Sequence, residues 1–239
     1  MAITADRSTA RIVGVLYIVG TVAGVLSLVA TSGPLGGADY LATVASHAGQ
    51  VRLGALLVLV MGVALAMVPA MMFPILRRQN EALAVGYVIF RGALETLTYI
   101  AVALNMLVLV LVAQQRQGST GATASQLDTL AGLLVKAQDA PVLAVQDIVF
   151  SLGALMFYCL LYRGRLVPRW LSGWGLVGVA GYLTAGVVVV FGPHLVVLLM
   201  PLAVQEMVLA IWLIAKGFNA NTAVSGPDRL QPAPVQLVG

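Results

Sequence analysis

Four charged side chains, Arg91, Glu95, Asp147 and Glu206, interrupt stretches of sequence that are otherwise apolar. Arg91 and Glu95 are four residues apart, a spacing that places two side chains on one face of a helix and within reach of an ion pair. Carboxyl groups bind protons or cations, and a guanidinium neutralises a carboxylate. These residue types therefore indicate an ion network, a proton relay or a cation-binding site.

The composition makes these charges unusual. Of the 239 residues, 60% are hydrophobic and only 9% are charged, and the mean hydropathy is +0.99, whereas soluble domains carry about 25% charged residues. Such a chain is typical of an integral membrane protein. A charge at the centre of a membrane-spanning helix costs about 2.5–3.5 kcal/mol on insertion scales. Each of the four charges therefore needs an ion-pair partner, contact with water or a functional role.

Six apolar segments reach the length of about 20 residues that a helix needs to cross a bilayer. They predict an all-α polytopic membrane protein with six transmembrane helices and both termini in the cytoplasm. The segments are residues 12–31, 53–76, 83–113, 141–162, 171–192 and 195–216. They form one predicted transmembrane domain, residues 1–218, and residues 219–239 are predicted to be a disordered cytoplasmic tail because their composition is polar, Pro-containing and without periodicity.

The orientation follows from the basic residues in the loops. With a cytoplasmic N-terminus, the three basic loop residues on the outer side are Arg52, Arg116 and Lys136. Nine others fall on the cytoplasmic side: Arg7, Arg11, Arg77, Arg78, Arg163, Arg165, Arg169, Lys216 and Arg229. This asymmetry obeys the positive-inside rule. The net charge of +4 is thus a signal of topology, and no nucleic-acid partner is predicted.

A surface helix is predicted in the long outer loop before the fourth segment. Leu127, Leu130 and Leu134 would share one face of that helix, and Ser125 with Asp128 resembles a capping box at its start. The helix is expected to lie at the membrane surface or to cover the outer mouth of a cavity.

Pro201 falls inside the sixth segment, five residues before Glu206. Proline removes an amide donor and frees a carbonyl one turn back, so the pattern predicts a kinked or loosened helix beside this carboxylate.

The depth of each polar residue decides which of them can meet. Glu95 and Glu206 both fall near the predicted bilayer midplane, whereas Asp147 and Asn105 fall nearer the outer end. The candidate intramembrane binding cluster comprises Arg91, Glu95, Asn105, Gln146, Asp147, Gln205 and Glu206. With three carboxyl groups against one guanidinium, either a carboxyl holds a proton, because burial disfavours its charged form, or a cation, a cationic substrate or water occupies the cavity.

Three kinds of function remain open on this pattern. The leading hypothesis is that the cluster binds or transports a small cation, a proton or a polar-headed lipophile. One alternative is a membrane-embedded enzyme acting on a lipid or isoprenoid, with Glu95, Asp147 or Glu206 as general acid or base; the catalytic residues are then unknown. The other is a structural or regulatory subunit. Apart from these functions, the same residues also fit a self-paired ion network of Arg91, Glu95 and Glu206 that only fixes helix register.

The expected partners are membrane lipids and an unidentified small ligand. Gly20 and Gly24 form a small-xxx-small pair, which permits close helix packing within the bundle or in a homo-oligomer. No metal site and no cofactor are predicted, because His47 and His194 lie in loops without neighbouring Cys or carboxylate ligands and Cys159 is the single cysteine.

Five stretches of the chain together resemble the bacterial membrane family called domain of unknown function 4386. They are residues 10–17 (ARIVGVLY), 91–95 (RGALE), 147–158 (DIVFSLGALMFY), 167–174 (VPRWLSGW) and 205–218 (QEMVLAIWLIAKGF). The resemblance covers about residues 5–218, and its last stretch is the most specific. It implies a six-helix, multi-pass protein of the bacterial cytoplasmic (inner) membrane in which Arg91, Glu95, Asp147 and Glu206 match polar positions of the family. It implies no activity.

Overall fold

The computed structural model describes residues 2–37, 39–193 and 195–219 of the chain. Within these ranges the secondary structure is helical, with no strand. The α-helices are α1 (Ala2–Leu35), α2 (Tyr40–Ser46), α3 (Ala48–Leu76), α4 (Glu81–Tyr87), α5 (Glu95–Gln117), α6 (Gly121–Ala137), α7 (Leu143–Gly164), α8 (Arg169–Val189) and α9 (Met200–Ala215). Two π-helical segments, Val88–Leu94 and Gln138–Val142, and a 3-10 turn, Val196–Leu198, join some of them.

Six helices among the described residues are long and apolar enough to cross a membrane, which confirms the predicted all-α fold. These spans are Arg7–Leu35, Ala48–Leu76, Glu81–Gln117, Leu143–Gly164, Arg169–Val189 and Val196–Ala215. The first three are longer than predicted because helical hydrogen bonding continues through polar residues beyond the apolar stretch that hydropathy detects. The predicted disordered tail lies, from residue 220 onward, outside the described residues.

The six spans form a ring in which each span packs against its neighbours along the chain. α3 contacts α1 on one side and the third span, Glu81–Gln117, on the other. The third span contacts α7, which contacts α8, and α8 contacts α9. Contact between α9 and α1 closes the ring. The core is mostly aliphatic, and its largest fully buried side chains include Tyr17, Tyr87, Phe157 and Tyr158.

One end of the bundle carries most of the basic residues, and we call it the basic face. α1 begins there and α9 ends there: Gly217 lies against Arg7, and Asn219 bonds through its backbone and side chain to the carbonyls of Leu166 and Arg165. The other end, which carries α2 and α6, is called the opposite face.

The predicted helix in the long loop is present as α6, but it begins earlier than predicted. The helix begins at Gly121 after the N-cap residue Thr120, so Ser125 lies within it, and its carbonyl accepts a hydrogen bond from the Thr129 hydroxyl. The predicted capping box at Ser125 was therefore wrong. The buried face is centred on Ala124 and Ala131, with Leu127 and Leu134 partly buried beside them, whereas Leu130 is exposed.

Pro201 does not kink the sixth span. α9 begins at Met200, after the 3-10 turn, and Pro201 occupies its first turn. An amide at that position has no intrahelical partner to lose, so proline is accommodated without distortion. The prediction of a proline-loosened helix beside Glu206 was wrong because the helix starts later than the apolar stretch does.

The closure of the ring depends on a glycine contact between α1 and α9. A Cβ atom added to Gly14 would lie 2.6 Å from the Ala210 carbonyl oxygen and 2.7 Å from Ile214 Cγ1. Because the nearest obstacle is backbone, only a shift of one helix could make room.

We predict that Gly14→Ala lowers the stability of the protein by about 1–3 kcal/mol, the usual cost of overpacking. The matched control is Gly132→Ala in the middle of α6, where the added methyl meets no atom of the described residues within 4 Å beyond its chain neighbours and its own helix backbone. The control should be neutral or stabilising by up to about 1 kcal/mol through helix propensity. Thermal unfolding of the detergent-solubilised variants measures both, and equal behaviour would contradict close packing of α1 on α9.

Candidate functional site

Arg91 lies in the π-helical segment that interrupts the third span. The segment runs from Val88 to Leu94, and the amide of Glu95 donates to the carbonyl of Phe90, five residues back. A π turn inserts one residue into the helical repeat and so changes which side chains face a given direction after it. Arg91 and Glu95 both point into the ring, where they are 3% and 1% exposed.

The guanidinium of Arg91 binds two carboxylates from different spans. Arg91 Nη1 donates to Glu95 Oε1 at 3.0 Å, and Arg91 Nη2 donates to Glu206 Oε1 on α9 at 3.1 Å. The structure thus brings together three of the residues singled out from the sequence. We call Arg91, Glu95 and Glu206 the Arg91 cluster.

Aromatic side chains hold the cluster in place. The Phe150 ring of α7 lies 4.3 Å from Arg91 Cζ and the Tyr17 ring of α1 lies 6.0 Å away, distances at which a ring face attracts a cation. The hydroxyl of Tyr99 donates to Glu95 Oε1 at 2.6 Å. Four of the six spans therefore contribute contacts to the cluster.

The two carboxyl groups of the cluster are not equivalent. Glu95 Oε1 accepts two hydrogen bonds, from Arg91 and from Tyr99, whereas Glu95 Oε2 is buried without a hydrogen-bond partner among the described residues. The side chain of Glu206 is 16% exposed. Glu95 is therefore the enclosed carboxyl and Glu206 is the accessible one.

The cluster carries more acid than base. Its single guanidinium balances one carboxylate, so with both carboxyl groups ionised the three side chains have a net charge of −1. An uncompensated charge in a low-dielectric interior is costly. A proton on one carboxyl group, or one bound cation, removes the excess.

Gln205 fixes α9 rather than contacting Arg91. The hydroxyl of Tyr158 on α7 donates to Gln205 Oε1 at 2.5 Å, and Gln205 Nε2 donates to the carbonyl of Leu171 on α8 at 3.0 Å. All three positions are buried. Because Gln205 precedes Glu206, this clamp sets the rotation of α9 that aims Glu206 at Arg91.

Asp147 lies on α7, one helical turn nearer the opposite face than Phe150. It is 2% exposed, and its backbone carbonyl accepts a hydrogen bond from the Ser151 hydroxyl. α8 packs closely on it, since a Cβ atom added to Gly186 would lie 2.7 Å from Asp147 Cβ. Gln146 beside it is half-buried. Tyr182 of α8 packs on Phe150 at 4.5 Å between ring centroids.

Asn105 has a structural partner at a distance from the cluster along the third span. Its amide donates to the Leu134 carbonyl at 3.1 Å and to Gln138 Oε1 at 2.7 Å. These bonds attach α6 and the following π-helical segment to α5. The sequence predicted that Asn105 and Asp147 lie at a similar depth in the membrane. Depth, however, carries no information about which face of the span is turned inward.

Sequence reasoning missed the aromatic residues of the site. Tyr99 follows Glu95 by four residues, so its bond to that carboxylate could have been inferred from helical spacing. Tyr17, Phe150 and Tyr158 come from other helices, and aromatic residues in membrane spans are too common for their types alone to mark a site.

The fold and the site define an integral membrane protein, a ring of six apolar helices around an ionic cluster at mid-depth. The family model of the domain of unknown function (DUF4386) matches residues 12–217. The chain therefore belongs to this family, as its sequence resemblance predicted. Among curated proteins and among solved structures, no match to this chain was found.

We predict that Arg91→Gln destabilises the protein by about 3–5 kcal/mol, because removing one partner of a buried ion pair leaves the other charge uncompensated. Adding Glu206→Gln to that variant removes one of the two stranded carboxylates, so the double variant should be more stable than Arg91→Gln alone. Thermal unfolding of wild type, both single variants and the double variant measures this coupling. Additive effects would contradict a direct Arg91–Glu206 interaction.

Proposed function

We propose that this is a multi-pass protein of the bacterial inner membrane, with both termini cytoplasmic, whose Arg91 cluster binds one proton or one monovalent cation at a time and exchanges the two. The observation that carries the proposal is the sharing of one buried guanidinium by two carboxylates. The orientation is proposed from the excess of basic residues at the basic face.

The charge count supports an exchangeable ligand over a purely structural network. A network that only fixed helix register would be complete with one carboxylate for the one guanidinium. The second carboxylate adds a negative charge that a proton or a cation must neutralise in the folded protein.

The two carboxyl groups have distinct roles in this proposal. Arg91 and Glu95 are fixed by Tyr99, Phe150 and the π-helical segment, so they form a permanent ion pair. Glu206, the accessible carboxyl, is the group that exchanges its proton for a cation. Gln205 and Tyr158 position it and do not bind the ligand.

The direct test is proton release on cation binding. Wild-type protein in a weakly buffered detergent solution should release up to one proton per chain when NaCl, KCl or tetramethylammonium chloride is added, because a bound cation replaces the proton. Glu206→Gln should release none, since a neutral amide has no proton to exchange. A sensitive pH electrode or indicator dye measures the release.

The matched control is Asp128→Asn. Asp128 is an exposed carboxylate that pairs with Arg116 at 2.7 Å near the opposite face, so this variant also replaces one carboxyl group by an amide but leaves the cluster intact. This variant should release protons as the wild type does. Equal release by wild type and Glu206→Gln, with both folded, would refute the exchange of a proton at Glu206.

A further inference from the structure

The contact between α1 and α9 covers only the half of α9 that is nearer the basic face. Gly14 of α1 and Ala210 of α9 are buried where the two helices cross. Residues that follow Gly14 at helical spacing on the same face become steadily more exposed: Thr21 is half-buried, Val25 is 55% exposed and Leu28 is 68% exposed.

The facing side of α9 shows the same trend in the same direction. Ala210 is fully buried, Glu206 one turn away is 16% exposed, and Ala203 a further turn away is exposed. Since the chain directions of α1 and α9 are opposite, both trends run toward the opposite face. The two helices therefore diverge from the Gly14 crossing, and they leave a wedge with Val25 and Leu28 on one wall, Ala203 on the other and Glu206 at its narrow end.

An open pocket between α1 and α5 lies beside this α1–α9 wedge. It has a volume of about 340 Å³ and shares Leu28 with the wedge. The side chains of Ser27, Thr31 and Gln138 line it together with Met106. Its volume is that of a small-ligand pocket, and its lining combines apolar and hydrogen-bonding groups.

We propose that the cation exchanged at Glu206 is an amphipathic ammonium compound that enters sideways from the bilayer through the α1–α9 wedge. This inference rests on the proposed function, because it identifies the substrate of the same site. The walls of the wedge are apolar and open to the hydrocarbon region, which suits an alkyl chain. The carboxyl group at the narrow end belongs to a cluster with an excess negative charge, which suits a cationic head.

The charge at the narrow end also determines which lipids are rejected. A neutral lipid of equal chain length forms no ion pair at Glu206 and therefore cannot replace the proton there. An anionic lipid would bring a negative charge beside two carboxyl groups and likewise has no positive charge to exchange for the proton. Selectivity for a positive head is therefore a consequence of the site itself.

The test compares decyltrimethylammonium with tetramethylammonium, which has the same head without the chain, in the proton-release measurement. Because burial of the chain adds favourable free energy, half-maximal release should need a concentration of decyltrimethylammonium roughly tenfold or more below that of tetramethylammonium. Decanol, which enters micelles but has no charge, should release no proton. Equal midpoints for the two ammonium ions would overturn the lateral route while leaving the exchange at Glu206 intact.

Two neighbouring substitutions on α9 locate the route. Ala203→Trp fills the wedge and should raise the midpoint for decyltrimethylammonium roughly tenfold, because a bulky side chain takes the space of the alkyl chain. Val204→Trp, at the adjacent exposed position that faces away from α1, should leave it unchanged within about twofold by the same reasoning. Equal midpoints for the two variants would also overturn the proposal.

A second pair on α1 keeps the test decisive if Ala203→Trp fails to fold. Val25→Trp fills the other wall of the wedge, and Leu26→Trp, its exposed neighbour turned toward lipid, is the control. The first should raise the midpoint and the second should not. If wild-type protein releases no proton with any of the cations, then the proposed function itself is wrong, an outcome distinct from a failure of the lateral route.

Discussion

The structure depends on one interaction, the binding of two carboxylates by the single guanidinium of Arg91 inside an apolar bundle. In this environment a charge cannot be left to solvent, so every element near Arg91 is arranged around its compensation. The third span supplies Glu95, α9 supplies Glu206 and α7 supplies the Phe150 ring. The Arg91–Glu206 pair joins two spans that are distant in sequence, so it helps to hold the ring together as well as forming the site.

The position of α9 shows how the ring holds this site without sealing it. On one side, Gln205 ties α9 to α7 and α8 through Tyr158 and the Leu171 carbonyl. On the other side, the close approach of Gly14 to Ala210 ties α9 to α1 near the basic face only. Glu206 lies just beyond that crossing. It is held firmly enough to reach Arg91 and remains the accessible carboxyl of the cluster, a combination that an exchange site requires.

Composition and hydropathy were sufficient to predict the six spans, because a membrane helix must be apolar along its whole buried length. The Arg91–Glu95 pair was predictable from helical spacing within one element, and equal depth allowed Glu95 and Glu206 to reach the same level of the bundle, where Arg91 binds both. Depth gave no information about the partners of Asn105, which bonds to Leu134 of α6 and to Gln138. The rotation of a span about its axis depends on its neighbours and, in the third span, on a π turn that no residue type marks.

The boundaries of the elements were less predictable than their existence. Pro201 was expected to disturb the middle of a helix and instead begins one, because an apolar segment continues through a 3-10 turn that hydropathy cannot distinguish from helix. The same limitation applied to α6, whose first turn is built from Gly121 and small residues rather than from a capping box. Hydropathy indicates which segments are buried in the membrane, whereas the ends of a helix depend on local hydrogen bonds.

A fixed positive charge beside an exchanging carboxyl has an energetic consequence for transport. If Glu206 always holds either a proton or a monovalent cation, the cluster has the same net charge in both states. Moving a charge across a membrane costs about 2.3 kcal/mol per 100 mV, but an exchange that keeps the charge constant avoids this cost. The direction of the proposed exchange would then be set by the concentration gradients of the two cations and not by the membrane potential. Arg91, by neutralising Glu95 permanently, makes a one-for-one, electroneutral exchange the natural stoichiometry of the site.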